Sequence, residues 1–172
     1  MRQKENFMRR LLVLICLSSF SVAGYCQQRF SNLLQFNYTA SSGGGDGSIA
    51  GLKYLGQCTI GQHFTAGGGV GQEIWFDNRI KTFYFSSILG DARYYFKDNE
   101  AGSNFFISPG YALKLFDASA TGYNFSTGLG SKIPLEGGQK LMVSLGFDFH
   151  NVRNEGYKRT FRGVCFNVGV VL

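Results

Sequence analysis

From residue 30 onward, apolar and polar residues alternate along the chain. In 30–40, Phe30, Leu34, Phe36 and Tyr38 share one parity, with Gln35 and Asn37 on the other. In 104–116, Phe105, Ile107, Pro109, Tyr111, Leu113 and Leu115 alternate with Ser108, Gly110, Ala112 and Lys114. Residues 122–135 set Tyr123, Phe125, Leu129, Ile133 and Leu135 against Asn124, Ser126, Gly128, Gly130 and Lys132. Residues 141–150 set Leu141, Val143, Leu145, Phe147 and Phe149 against Ser144, Gly146, Asp148 and His150. The last segment places Val164, Phe166, Val168, Val170 and Leu172 on one face. A period of two sustained this long is a strand pattern, because successive side chains of a strand point to opposite faces.

Turn-forming stretches divide the alternation evenly. They are Ser41–Gly47, Gly61-Gln62, Asp77-Asn78, Lys97–Gly102, Asp117-Ala118, Glu136–Gly138 and Asn151–Gly156. They predict eight strands, over 29–40, 48–60, 63–75, 82–96, 104–116, 121–134, 139–150 and 159–172. All are long. Strands of globular proteins run about 5–6 residues, whereas strands that cross a bilayer need about 9–11. Long antiparallel strands joined by short turns predict an all-β, eight-stranded up-and-down barrel. No linker or second domain interrupts residues 27–172.

Composition narrows the class further. Glycine accounts for 24 of 172 residues and proline for 2, while charged residues make up only 16%. Glycine spread through every segment argues against a helical bundle, since each costs about 1 kcal/mol in a helix interior. Residues 1–26 differ from the rest. Arg2, Lys4, Arg9 and Arg10 precede the apolar run Leu11–Leu17, and small residues follow to Ala23-Gly24. This is the layout of a cleaved secretory signal peptide, with cleavage after Gly24 or after Cys26. Tyr25 stands before Cys26 where a lipoprotein signal would carry a small residue, so the segment does not read as a lipidation site. Removing 1–26 leaves 13 basic and 10 acidic residues, so the formal net charge falls from +6 to +3. An exported chain with so small a charge is not a nucleic-acid binder. Cys58 and Cys165 remain in the body. They are expected as free, buried thiols on strands separated by another, facing opposite ways.

Alternation alone does not say which face looks inward. A soluble, lipocalin-like barrel holds its apolar set inside, whereas a membrane barrel reverses the faces. The polar face carries Lys53, Glu73, Asp91, Arg93, Lys114, Lys132 and Asp148. Between them stand glycines such as Gly67, Gly69, Gly71, Gly110, Gly128, Gly130 and Gly146. A narrow lumen needs positions without side chains, because an eight-stranded barrel is just wide enough to be filled. The mixed charges are expected to pair there, in a network around Glu73, Arg93, Lys114 and Asp148. The other face has aromatics near strand ends, among them Phe30, Tyr38, Phe64, Tyr94, Phe96, Phe105, Tyr123 and Phe149. Aromatic girdles of this kind flank the apolar band of outer-membrane barrels. The fold expected is therefore a transmembrane β-barrel with charges within.

Three stretches carry a family resemblance: Gly90-Asp91-Ala92-Arg93-Tyr94-Tyr95-Phe96, Pro109-Gly110-Tyr111 and the final Gly163–Leu172. Over about residues 27–172 the chain resembles the small outer-membrane β-barrel domain proteins of Gram-negative bacteria, the eight-stranded OmpA-like and OmpX-like class. The resemblance implies an outer-membrane location and a barrel that works as a monomer. It also implies a last strand read by the barrel-assembly machinery. In that class this strand ends on an aromatic, and here Leu172 takes its place.

With a periplasmic N-terminus, the segments around 41–47, 76–81, 117–120 and 151–158 would face outside. Those around 61–62, 97–103 and 135–138 would face the periplasm. A lumen filled by side chains does not suit an open pore. The leading expectation is a non-enzymatic barrel with a structural or surface-interaction role. A second is a lipid-modifying enzyme, since small barrels of the resembled class include lipid A deacylases. Phe149-His150-Asn151-Val152-Arg153-Asn154 resembles the deacylase pattern, but Val152 stands where that pattern has its nucleophilic serine. A third is the soluble ligand-binding barrel. Two histidines and dispersed cysteines lack metal-ligand spacing, and no cofactor is expected. Gly67–Gly71 lies within a strand and lacks the lysine of a phosphate loop. The basic residues Arg153, Lys158, Arg159 and Arg162 flank the last outer loop, where they would meet lipopolysaccharide phosphates.

Overall fold

A computed structural model of the chain describes residues 30–41, 47–76, 82–97, 101–113, 121–154 and 157–172. The expected signal peptide lies outside the described residues, as does Lys114. The elements are β1 (Phe30–Ser41), β2 (Ser48–Ile60), β3 (Phe64–Phe76), β4 (Phe83–Tyr95), β5 (Gly102–Leu113), β6 (Thr121–Pro134), β7 (Lys140–Asn154) and β8 (Tyr157–Val171). Each strand pairs antiparallel with the next, and β8 returns to β1, from Leu33–Val171 to Ser41–Gly163. The result is a closed eight-stranded up-and-down barrel, in which every strand edge is paired.

Several strand boundaries differ from the expectation by one residue, and two stretches differ by more. The stretch Asn151–Gly156 reads as a turn from its polar residues, but the ladder runs on through Asn151–Thr160, Val152–Arg159 and Arg153–Lys158 to Asn154–Tyr157. The alternation continues there with polar side chains on the outward positions, so polarity alone does not end a strand. At the other end of the barrel, β5 begins at Gly102, earlier than expected, because Gly102 and Ser103 pair with Lys132 and Ser131. The turns at that end rest on glycines with positive φ, Gly61 at 67° and Gly137 at 87°. L side chains avoid this region, which glycine enters freely.

The two faces are chemically opposite. Lys53, Glu73, Asp91, Arg93, Lys132 and Asp148 all point inward and are buried. Leu52, Val70, Ile88, Leu129, Leu145 and Phe147 point outward, and Phe147 is 65% exposed. Inward glycines make room for the lumen side chains. A Cβ on Gly51 would lie 2.6 Å from both the Gln72 carbonyl oxygen and Glu73 Cγ. One on Gly110 would collide with the Asn124 amide and Leu89.

The lumen also holds apolar side chains, which lie on the polar parity of the sequence. Ile49, Trp75, Phe85, Ala112, Val152 and Phe161 form a buried cluster at the end of the loops after β1, β3, β5 and β7. Leu33, Leu55, Leu89, Tyr95, Met142 and Val171 form a second towards the opposite end. Proline leaves one local mark. Pro109 has no N–H to donate, and the β4–β5 ladder is interrupted between Leu89–Gly110 and Ala92–Ile107. There the Ser108 hydroxyl donates to the Gly90 carbonyl at 2.8 Å.

Candidate functional site

Among the described residues, inward parity brings the lumen charges together from five strands, β2, β3, β4, β6 and β7, but in separate groups. The first group surrounds Glu73 on β3. Lys53 Nζ lies 3.4 Å from Glu73 Oε1, with both side chains buried. Asn37 Nδ2 donates to Oε1 at 2.9 Å, and Asn124 Nδ2 donates to Oε2 at 3.4 Å. One carboxylate thus ties β1, β2, β3 and β6 across the lumen. Asp148 on β7 accepts from the Thr39 hydroxyl and lies 3.6 Å from His150 Nε2. The His150 ring packs edge-on between Phe85, at 5.6 Å between centroids, and Phe161, at 6.0 Å.

The second group is built on Asp91 and Arg93, two residues apart on β4 and therefore on the same face. Arg93 Nε donates to Asp91 Oδ2 at 2.8 Å and Arg93 Nη2 to Oδ1 at 3.1 Å. This is the two-pronged arrangement that suits guanidinium and carboxylate. Gln57 Nε2 donates to Asp91 Oδ2 at 2.6 Å, and Gln35 Oε1 accepts from Arg93 Nη2 at 3.3 Å. The guanidinium lies 5.4 Å from the centre of the Phe106 ring. Lys132 on β6 is held differently, with its ammonium 4.5 Å over the ring of Tyr95. Among the described residues the lumen thus sets Lys53, Arg93 and Lys132 against Glu73, Asp91 and Asp148. Equal and opposite charges limit the cost of burying ions, which is several kcal/mol for an unpaired one.

Of the network expected around Glu73, Arg93, Lys114 and Asp148, Lys114 lies outside the described residues, and the other three fall into the two groups above. Glu73 and Arg93 have different partners, because inward position along a strand, not parity alone, sets which side chains meet. Their amide partners Gln35, Asn37, Gln57 and Asn124 carry no charge, so a search for charges passes over them. The buried apolar clusters were missed for a related reason. Trp75 and Phe85 fall among polar residues of the same parity and read as interruptions of the pattern.

The cysteines also differ in part from expectation. Cys165 is free and buried. Cys58 is disulfide-bonded, half-exposed on the outward parity of β2, and its partner lies outside the described residues. The expectation of a free, buried thiol at Cys58 is thus overturned.

The basic residues of β7 and β8 divide between two faces. Arg153, Lys158 and Arg162 are exposed on the outward parity, whereas Arg159 pairs with Val152 on the inward parity at the rim. His63 sits in the exposed β2–β3 turn, with its Nδ1 3.0 Å from the Tyr95 carbonyl oxygen. Among the described residues no three His, Cys, Asp or Glu side chains converge as a metal site requires.

Chemically, the lumen is a packed interior, with a polar layer lying between apolar clusters. His150 has no serine at the position two residues on, because Val152 is buried there in the apolar cluster. Among the described residues the outer wall is mainly apolar, interrupted by polar positions such as Gln72 and Ser86, with a basic margin at one end. Comparison of the chain with protein-family models, with curated proteins and with solved structures returns no match.

Proposed function

We propose that this chain is a membrane-spanning barrel of a bacterial outer membrane, exported by its N-terminal segment, with a structural or surface-interaction role and no catalytic one. One observation carries the reading: the barrel is inverted. Glu73 is 0% and Arg93 1% exposed, while Leu129, Leu145 and Phe147 stand 58–65% exposed on the outside. A barrel surrounded by water gains nothing from burying its ions and exposing its large apolar side chains. In hydrocarbon both arrangements become favourable, and the closed ladder leaves no strand edge to be satisfied by water. Strands of 12–15 residues exceed the length that a tilted bilayer crossing requires.

A structural role is favoured over lipid chemistry by the place of His150. It faces the lumen between Phe85 and Phe161, away from any lipid on the outer wall. The Gram-negative, OmpA-like and OmpX-like resemblance and the use of the assembly machinery belong to this proposal, as does the monomeric state.

The test is expression of the full chain in a Gram-negative host, followed by envelope fractionation and electrophoresis with and without boiling. The expected result is an outer-membrane band whose mobility changes on heating. A periplasmic, soluble band without a heat shift would overturn the reading.

A further inference from the structure

Among the described residues, the charged side chains on the outward positions of the strands are Arg153, Lys158 and Arg162. All three are basic, all lie on β7 and β8, and all stand at the same end of the barrel. The outward face of this hairpin changes character in steps. Leu145 faces Phe166 and Phe147 faces Val164 within the apolar wall. Next come Phe149 and Arg162, whose guanidinium lies 5.5 Å over the Phe149 ring, and Phe149 stacks on Tyr123 at 6.1 Å. Then Asn151 Nδ2 donates to Thr160 Oγ1 at 3.4 Å. Finally Arg153 stands directly opposite Lys158. From Phe149 to Arg153 this covers about 13 Å along the strand.

Like charges directly opposed in a ladder are destabilising, and here they sit next to a wall that seeks hydrocarbon. An anion between them would reverse the sign of that term. We propose that this face binds the phosphate groups of a lipid headgroup, with Arg153 and Lys158 bracketing a phosphate and Arg162 reaching the same headgroup from beside Phe149. The occupant is a phosphorylated glycolipid of the lipopolysaccharide type, in the leaflet that surrounds this end of the barrel. Charge complementarity and position argue for it. The cations begin where the apolar wall ends, at headgroup depth, and guanidinium groups recognise phosphate oxygens by paired hydrogen bonds. Arg159, on the inward parity, is not part of this face. The proposal rests on the membrane reading above and adds the chemistry of its lipid partner.

The test uses the full chain folded in detergent, with the unheated gel shift as a check that the barrel is formed. Lipid retention is read by native mass spectrometry, using a diphosphorylated lipid A, its dephosphorylated counterpart and inorganic phosphate as probes. The expected result is retention of the diphosphorylated lipid, at least tenfold stronger than of the dephosphorylated one. Replacing Arg153, Lys158 and Arg162 together by alanine should abolish that preference, while Lys97→Ala, in the turn at the opposite end, should leave it intact. Equal retention of the two lipids by the unaltered protein would overturn the proposal, and this comparison needs no variant to fold. Millimolar inorganic phosphate displacing the lipid completely would also overturn it, by assigning the site to free phosphate. Failure of the membrane reading would be seen separately, as absence of the heat shift and of the outer-membrane band.

Discussion

Arg93 and Asp91 show what a buried charge requires of its surroundings. The pair is held by two hydrogen bonds and buttressed by Gln57 and Gln35. Arg93→Met would leave Asp91 in the lumen with a single amide donor. Removal of one partner from such a pair costs about 3–5 kcal/mol. Urea unfolding of the barrel in lipid vesicles, followed through the fluorescence of Trp75, the only tryptophan in the chain, should show that loss. Replacing both residues by apolar ones should restore most of it. An unchanged midpoint in Arg93→Met would remove the pair from the account of stability. The cysteines provide a second residue-scale test. In the folded barrel Cys165, which is buried, should not react with a maleimide. Cys165 should become reactive on unfolding alone; Cys58 should need a reductant as well in a chain cut after Gly24, which keeps Cys26, whereas a chain cut after Cys26 holds no partner for it. Labelling of Cys165 in the folded state, read by intact mass, would contradict its burial.

At the level of elements, β7 combines both environments in alternate residues. Ser144 and Asp148 are buried, while Leu145 is 59% exposed between Leu129 and Phe166 on the neighbouring strands. Leu145→Arg should lower stability in a bilayer by about 2–4 kcal/mol if the residue lies near the midplane. The same change should cost far less in a detergent micelle thin enough for the guanidinium to reach water. Equal midpoints in vesicles for Leu145→Arg and the unaltered chain would overturn the outward, lipid-facing reading. This strand was also among the most legible in the sequence, because Leu141, Val143, Leu145, Phe147 and Phe149 hold one parity without a break. The parity of the charges was legible too, and six of the seven lie on described inward positions. What parity could not supply was partnership. Asn37 and Asn124 meet Glu73 from strands distant in the chain, and such meetings depend on barrel closure and stagger, which are properties of the whole ring. Nor could it reveal the upper part of the β7–β8 hairpin, where asparagine and arginine resemble a loop until their ladder partners are known.

For the molecule as a whole, the apolar clusters around Trp75 and Tyr95 flank the charged layer on either side. Ions crossing the lumen would have to pass both, and the unsolvated passage of an ion through hydrocarbon-like packing is strongly unfavourable. The barrel reconstituted in a planar bilayer should therefore give no steady conductance steps. Regular steps of porin size would show that the lumen opens. The closing seam has a consequence of another kind, in the order of events during folding. Every other ladder joins strands adjacent in the chain and has a short loop to close, but the β1–β8 ladder joins the first strand to the last. The entropy of closing so long a loop must be met before that seam returns anything. Until then β1 and β8 each present an unpaired edge, open to the wrong partner. Thus the ring that has no edge once complete has two for as long as it is being made, and the last seam to form sets how long the chain must be kept from its neighbours.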